Sequence, residues 1–66
     1  MRLLEEVVLE KDEMEAVRLC DLMGMDMLKA AEKINLSKST VHRLLSAAHC
    51  KIADALVKGK ALRIEK

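Results

Sequence analysis

Phenylalanine, tryptophan, tyrosine and proline are all absent from this chain of 66 residues, and glycine and cysteine occur only twice each. Each absence narrows the reading. Without aromatic rings the core has to be assembled from Leu, Val, Ile, Met and Ala. The same lack removes the stacking platforms that OB-fold or RRM modules offer to single-stranded nucleic acid. Without proline, nothing of that kind interrupts a helix once it has started. No apolar run approaches the roughly 20 residues a bilayer span requires. No basic segment leads into a short apolar one either, so the expectation is a soluble cytoplasmic protein without a secretion signal.

Cys20 and Cys50 lie on different expected helices. One disulfide would staple a secreted domain poorly, and nothing else points to an oxidising compartment, so both are expected as reduced thiols, at least one in the core. Cys20, His42, His49 and Cys50 lack the paired spacing of a zinc site, and no metal or cofactor is expected. Nor is catalysis. The chain has no glycine-rich phosphate loop and no nucleophile beside a base, and its acids gather where a helix start accounts for them.

What is present is apolar and helical. Hydrophobic residues make up 52% of the chain, too many for disorder, and the length allows one domain, residues 1–66, around one small core. The segment from Met27 to Leu45 reads as a helix–turn–helix. A short helix over Met27 to about Ile34 follows Asp26 as N-cap. The turn Asn35-Leu36-Ser37 comes next, and a second helix opens with Ser37 as its cap. Small Ala30 and Ala31 let the two helices cross closely, with Val41, Leu44 and Leu45 closing over them.

An earlier helix is expected from about Lys11 to Met23. Asp12, Glu13 and Glu15 suit its positive end, a capping box joins Asp12 with Glu15 or Glu10 with Glu13, and Gly24 follows at a left-handed position. The last helix keeps steps of three and four through Ala48, Ile52 and Ala55 to about Val57, and Gly59 ends it. Leu3–Leu9 and Ala61–Glu65 carry short strand signatures. The fold class is therefore mainly α, a three-helix helix–turn–helix domain with a long third helix and short terminal β-strands. The two strands can pair with each other, but an isolated two-stranded ribbon is marginal, and the alternative is pairing with the equivalent strands of a partner chain. The first helix also carries more apolar surface than one stripe. These two features together point to a homodimer through helix one, the C-terminal part of helix three and the terminal strands, burying Leu3, Leu4, Val8, Leu62 and Ile64.

The net charge of +1 conceals a division along the chain. Met1 to Leu28 carries three cations against eight anions, whereas Lys29 to Lys66 carries nine against three. The basic part contains the helix–turn–helix, the arrangement expected of an electrostatic footprint for nucleic acid with an acidic back.

The strings EEVVL, DEMEAVRLCDLMGM and KAAEKINLSKSTVHRLLSAAHCKIADALVKGKALRI, about Glu5 to Ile64, resemble domain of unknown function 134. That family comprises small bacterial and archaeal proteins with a helix–turn–helix similar to region four of sigma factors. The most specific parts are EAVRL (Glu15 to Leu19) and ALVKGKALRI (Ala55 to Ile64). Asn35 stands where the family commonly has glycine, and Glu10 where it usually has a Ser or Thr cap. The resemblance implies double-stranded DNA binding and transcriptional control.

In that role Ser37 caps a recognition helix in the major groove, and its exposed amides meet a phosphate with help from Ser39 or Thr40. Lys38, His42 and Arg43 are the base-edge candidates, Arg43 having the fork that matches guanine O6 and N7. Lys29 and Lys33, one turn apart, reach the phosphate backbone. The plainer alternative for the lysines is ordinary solvated surface. For the whole chain the alternative is a protein–protein adaptor built on the same scaffold without DNA binding.

Overall fold

The computed structural model describes residues 5–65, so Leu3 and Leu4, expected in the first strand, lie outside the described residues. Strand β1 (Glu6–Leu9) leads into helix α1 (Lys11–Val17), which continues as a π-helical segment over Arg18–Leu22. Helix α2 (Met27–Ile34), the long helix α3 (Lys38–Lys58) and strand β2 (Ala61–Ile64) follow. At about 1.5 Å per residue the 21 residues of α3 form a rod of roughly 30 Å. This rod is the spine of a molecule measuring 46 × 21 × 19 Å.

Local chemistry sets the helix boundaries. Of the two expected capping boxes, the Glu10 and Glu13 pairing is the one that forms: the Glu10 amide donates to Glu13 Oε1 at 2.9 Å as α1 starts at Lys11. Asp26 accepts from the Lys29 amide at 2.8 Å and opens α2. Ser37 accepts from the Thr40 amide at 3.2 Å and opens α3. Asn35 and Gly59 close α2 and α3 in the left-handed region, with φ of 61° and 68°. The Asn35 side chain is short enough to tolerate that geometry where a β-branched residue would not.

Two features depart from the sequence-based expectation. The first is the π segment. The Met23 amide bonds to the Arg18 carbonyl at 3.0 Å, five residues back, so this stretch of the first helix is wider than an α-helix. Leu19 is buried within it, whereas Leu22 and Met23 lie exposed at 80% and 54%. Most of the apolar excess of the first helix is accounted for inside the chain, since Ala16 and Leu19 are in the core and Val17 and Cys20 pack against it.

The second concerns the strands. They pair with each other, in parallel, with Glu6 opposite Ala61 and Leu9 opposite Ile64. The Ala61 amide reaches the Glu5 carbonyl at 2.8 Å and the Glu65 amide reaches Leu9 at 2.9 Å. Of the two pairings open to the strands, with each other or with a partner chain, the internal one is thus made, and the three helices form the crossover between the strands. Leu9 is buried beneath the ribbon, while Leu62 and Ile64 remain partly exposed.

The core is one cluster of Ala16, Leu19, Ala30, Ala31, Val41 and Leu45, joining all three helices. Glu13 is the one buried charged residue among those described. Its Oε1 also accepts from Lys51 Nζ at 2.7 Å, which ties the start of α1 to the middle of α3. Burial pushes the Glu13 carboxyl upward, but the Lys51 and Glu10 hydrogen bonds and the Lys51 charge outweigh it and leave the group below the ordinary glutamate value of 4.5. A carboxyl depressed in the folded state stabilises it above the unfolded-state pKa, and that contribution is lost as the pH falls through the folded-state value. Stability to urea is therefore expected to decline below about pH 4.5, and Glu13→Gln should flatten that decline. An unchanged acid limb in the variant would assign the decline to other carboxylates.

Candidate nucleic-acid interface

The helix–turn–helix is built tightly at its crossing and open on its outer side. Ala30 and Ala31, exposed at 0% and 3%, are small enough to let α3 approach, and Val41 and Leu45 fill the space between the helices with Leu44 packed alongside. The turn is drawn in by the Leu36 amide, which bonds to the Ala31 carbonyl at 2.9 Å. These contacts fix the direction in which the first two turns of α3 present their outer side chains.

Seven of the eight residues expected at the interface, Lys29, Lys33, Ser37, Lys38, Ser39, His42 and Arg43, are exposed, and Thr40 is half-buried. The structure sorts them into three groups. Lys29 and Lys33 line one shallow depression of ≈ 380 Å³ together with Met25 and Glu32. Ser37, Ser39 and Thr40 gather at the start of α3, with Ser37 Oγ 2.8 Å from Thr40 Oγ1 and 3.3 Å from Ser39 Oγ. The Thr40 hydroxyl is thereby engaged within the cap, and Ser39 is the freer of the two expected phosphate donors. Lys38, His42 and Arg43 form the third group, on the exposed side of the first two turns of α3.

Met25 and Glu32 were not expected at this surface. Glu32 was legible in principle, because a residue three places beyond Lys29 neighbours it on the surface of α2. Its carboxylate offsets part of the positive charge that the two lysines place there.

The division of charge along the sequence takes a different form in three dimensions. Lys51 pairs with Glu13 at 2.7 Å, Lys58 with Asp54 at 3.4 Å, and Arg63 with Glu6 at 3.3 Å. Lys60 bridges Asp54 at 2.9 Å and Glu5 at 3.4 Å. The Asp54 hydrogen bond holds Lys60 above the usual lysine range. Arg18 pairs with Glu15 at 2.7 Å. By contrast Lys29, Lys33, Lys38 and Arg43, all the Lys and Arg side chains of the helix–turn–helix, have no ion pair among the described residues. Outside that segment only Lys11 shares this condition among the described Lys and Arg residues. Much of the charge in the C-terminal part holds the fold together, and the free positive charge is concentrated on α2 and the start of α3.

The two histidines separate in the same way. His49 Nε2 lies 2.6 Å from Asp21 Oδ2 and joins α3 to the π segment, whereas His42 has no partner among the described residues. Cys20 and Cys50 are both free thiols. Cys20 is half-buried against the core, and burial, with the charges of Asp21 and Asp26, pushes its thiol up. Cys50 is exposed. No three His, Cys, Asp or Glu side chains among the described residues converge as metal ligands would. Nor is any helix among them long and apolar enough to cross a membrane.

A capped α2, a left-handed turn and a capped α3 crossing over small residues define a compact helix–turn–helix domain closed by a parallel two-stranded ribbon. The chain belongs to the family described as Protein of unknown function DUF134, whose model matches residues 1–66. It is 52% identical over 65 residues to a UPF0251 protein of Dehalococcoides mccartyi, which covers 98% of this chain and 56% of that protein. A UPF0251 protein of Thermoanaerobacter pseudethanolicus is 46% identical, with 98% of this chain and 55% of its own length covered. One from Prosthecochloris aestuarii is 47% identical over 62 residues, covering 94% of this chain and 40% of its own length. The chain thus spans about half the length of the curated relatives it matches. No solved structure matches it.

Proposed function

We propose that this domain binds double-stranded DNA as part of a transcriptional regulator, with the start of α3 in the major groove. The single observation that carries the reading is the distribution of unpaired positive charge. Lys29, Lys33, Lys38 and Arg43 have no ion pair among the described residues, while Arg18, Lys51, Lys58, Lys60 and Arg63 are each held by a carboxylate. A cation already paired within the chain has less to offer a phosphate than one that is not. In this reading Lys29 and Lys33 meet the backbone, the amides capped by Ser37 with the Ser39 hydroxyl meet another phosphate, and Lys38, His42 and Arg43 face the bases. The role is one of binding rather than catalysis, in a cytoplasmic setting.

The test is titration of the protein into a labelled duplex at several salt concentrations. The logarithm of affinity should fall linearly with the logarithm of salt, at a slope of about −0.9 per phosphate neutralised. Absence of binding even at low salt would remove the reading and favour a protein–protein adaptor.

Exposed apolar side chains support a second element, self-association. Leu22, Leu56 and Val57 are 80%, 77% and 83% exposed, at the end of the first helix and in the last turns of α3. Large apolar groups left in water at these places are suited to a second copy of the chain. A homodimer of this kind would recognise a near-palindromic site with half-sites about 34 Å apart. Sedimentation giving only monomer at tens of micromolar protein, with and without duplex, would rule it out.

A further inference from the structure

We infer that protonation of His42 strengthens duplex binding, making the affinity of this domain pH-dependent, while His49 takes no part; the inference rests on the DNA-binding reading above. An unperturbed imidazole changes charge between pH 5 and 8, and DNA phosphates do not titrate there. Any histidine held against the duplex therefore offers a neutral ring at the upper end of that range and an additional cation at the lower end. Which histidine does so depends on whether its ring is already committed within the chain.

His49 is committed. Its Nε2 lies 2.6 Å from Asp21 Oδ2, between α3 and the π segment. His42 is exposed on the second turn of α3 and has no hydrogen-bond partner among the described residues. No carboxylate among the described residues lies within ion-pair distance of that ring. On the first two turns of α3 the charged groups are Lys38 and Arg43, neither with an ion pair among the described residues, while Lys51, Asp54 and Lys58 further along are paired. On α2, which packs against α3, they are Lys29, Glu32 and Lys33, with Asp26 at the cap accepting from the Lys29 amide. On the first helix, Glu13 is held by Lys51, Glu15 by Arg18 and Asp21 by His49. His42 shares the exposed side of the first two turns of α3 with Lys38 and Arg43. A phosphate or guanine edge brought against it favours the imidazolium, so binding takes up a proton. By reciprocity, lowering the pH tightens binding.

The experiment measures affinity of the intact chain for a labelled mixed-sequence duplex at pH 8 and pH 6, at constant ionic strength. Binding is expected to be about fivefold tighter at pH 6, since a one-unit rise in the pKa of a single group on binding is worth at most about tenfold across its whole titration. H42Q should bind equally at both pH values, and H49Q should keep the gain. Helical circular dichroism verifies that both variants are folded. Salt-dependent binding of the unaltered chain that does not change with pH would overturn the inference and leave the DNA reading intact. A gain retained in H42Q but lost in H49Q would overturn it as well. No binding at either pH would remove the DNA reading itself, and the inference with it.

Discussion

Arg43→Ala is expected to cost about 1–3 kcal/mol, roughly 5- to 150-fold, in affinity for a preferred duplex, and to relax the preference at one base pair. Arg43 is exposed on the outer side of α3 and has no carboxylate holding it among the described residues. Its planar fork can make two hydrogen bonds to one guanine, a geometry that lysine cannot reproduce. Lys33→Ala should behave differently. A backbone contact carries no sequence information, so its loss should weaken all duplexes by a similar factor and reduce the salt slope by about one unit. A preferred sequence is obtained by selecting bound duplexes from a random pool, and the two variants are then compared on that duplex and on unrelated ones. Equal loss on every sequence for both variants would remove Arg43 from base reading and make it a second phosphate contact.

Leu19→Ala is expected to destabilise the domain by about 2–5 kcal/mol. A chain of this size has a total stability on the order of 3–10 kcal/mol, so much of the variant population should be unfolded at body temperature. Leu19 is 2% exposed and belongs to the cluster that joins all three helices, so truncating it opens a cavity with little able to collapse into it. Leu22→Ala, three residues later, is the contrasting variant. Leu22 is 80% exposed, and its truncation should alter stability by no more than about 0.5 kcal/mol. Urea unfolding followed by helical circular dichroism reads both. A small effect for Leu19 and a large one for Leu22 would mean that the first helix presents a different face to the core, with Arg18–Leu22 not in the π form.

Most of the chain's local architecture was legible because it is written in side chains acting on their own backbone. Asp26 and Ser37 each accept from an amide three residues on, and Asn35 and Gly59 take the left-handed geometry that ends a helix. Such interactions span a few residues and depend little on the rest of the molecule, so spacing alone locates them. The packing at the helix crossing was legible for a related reason. Two consecutive alanines opposite a valine and a leucine at helical spacing leave few other ways to join α2 to α3.

The candidate site was legible in its membership but not in its electrostatics. Lys29, Lys33, Lys38 and Arg43 could be named from the sequence, yet so could Lys51, Lys58, Lys60 and Arg63 as further contributors to a basic half. Glu13 and Lys51 are 38 residues apart, and Arg63 and Glu6 are 57 apart. No periodicity reports a pairing over such distances, because each depends on where the fold brings its two elements.

By itself, therefore, the sequence determined the three helices, the caps of α2 and α3, the turn between them, and the residues that the start of α3 displays. Tertiary structure decided the rest. It set the parallel pairing of β1 with β2, the π form of Arg18–Leu22, the attachment of His49 to Asp21, and the confinement of free positive charge largely to the helix–turn–helix. The physical reason is range. Caps and turns are satisfied within a few residues, whereas strand pairing, core registration and ion pairing between elements arise only once distant segments have been packed against one another.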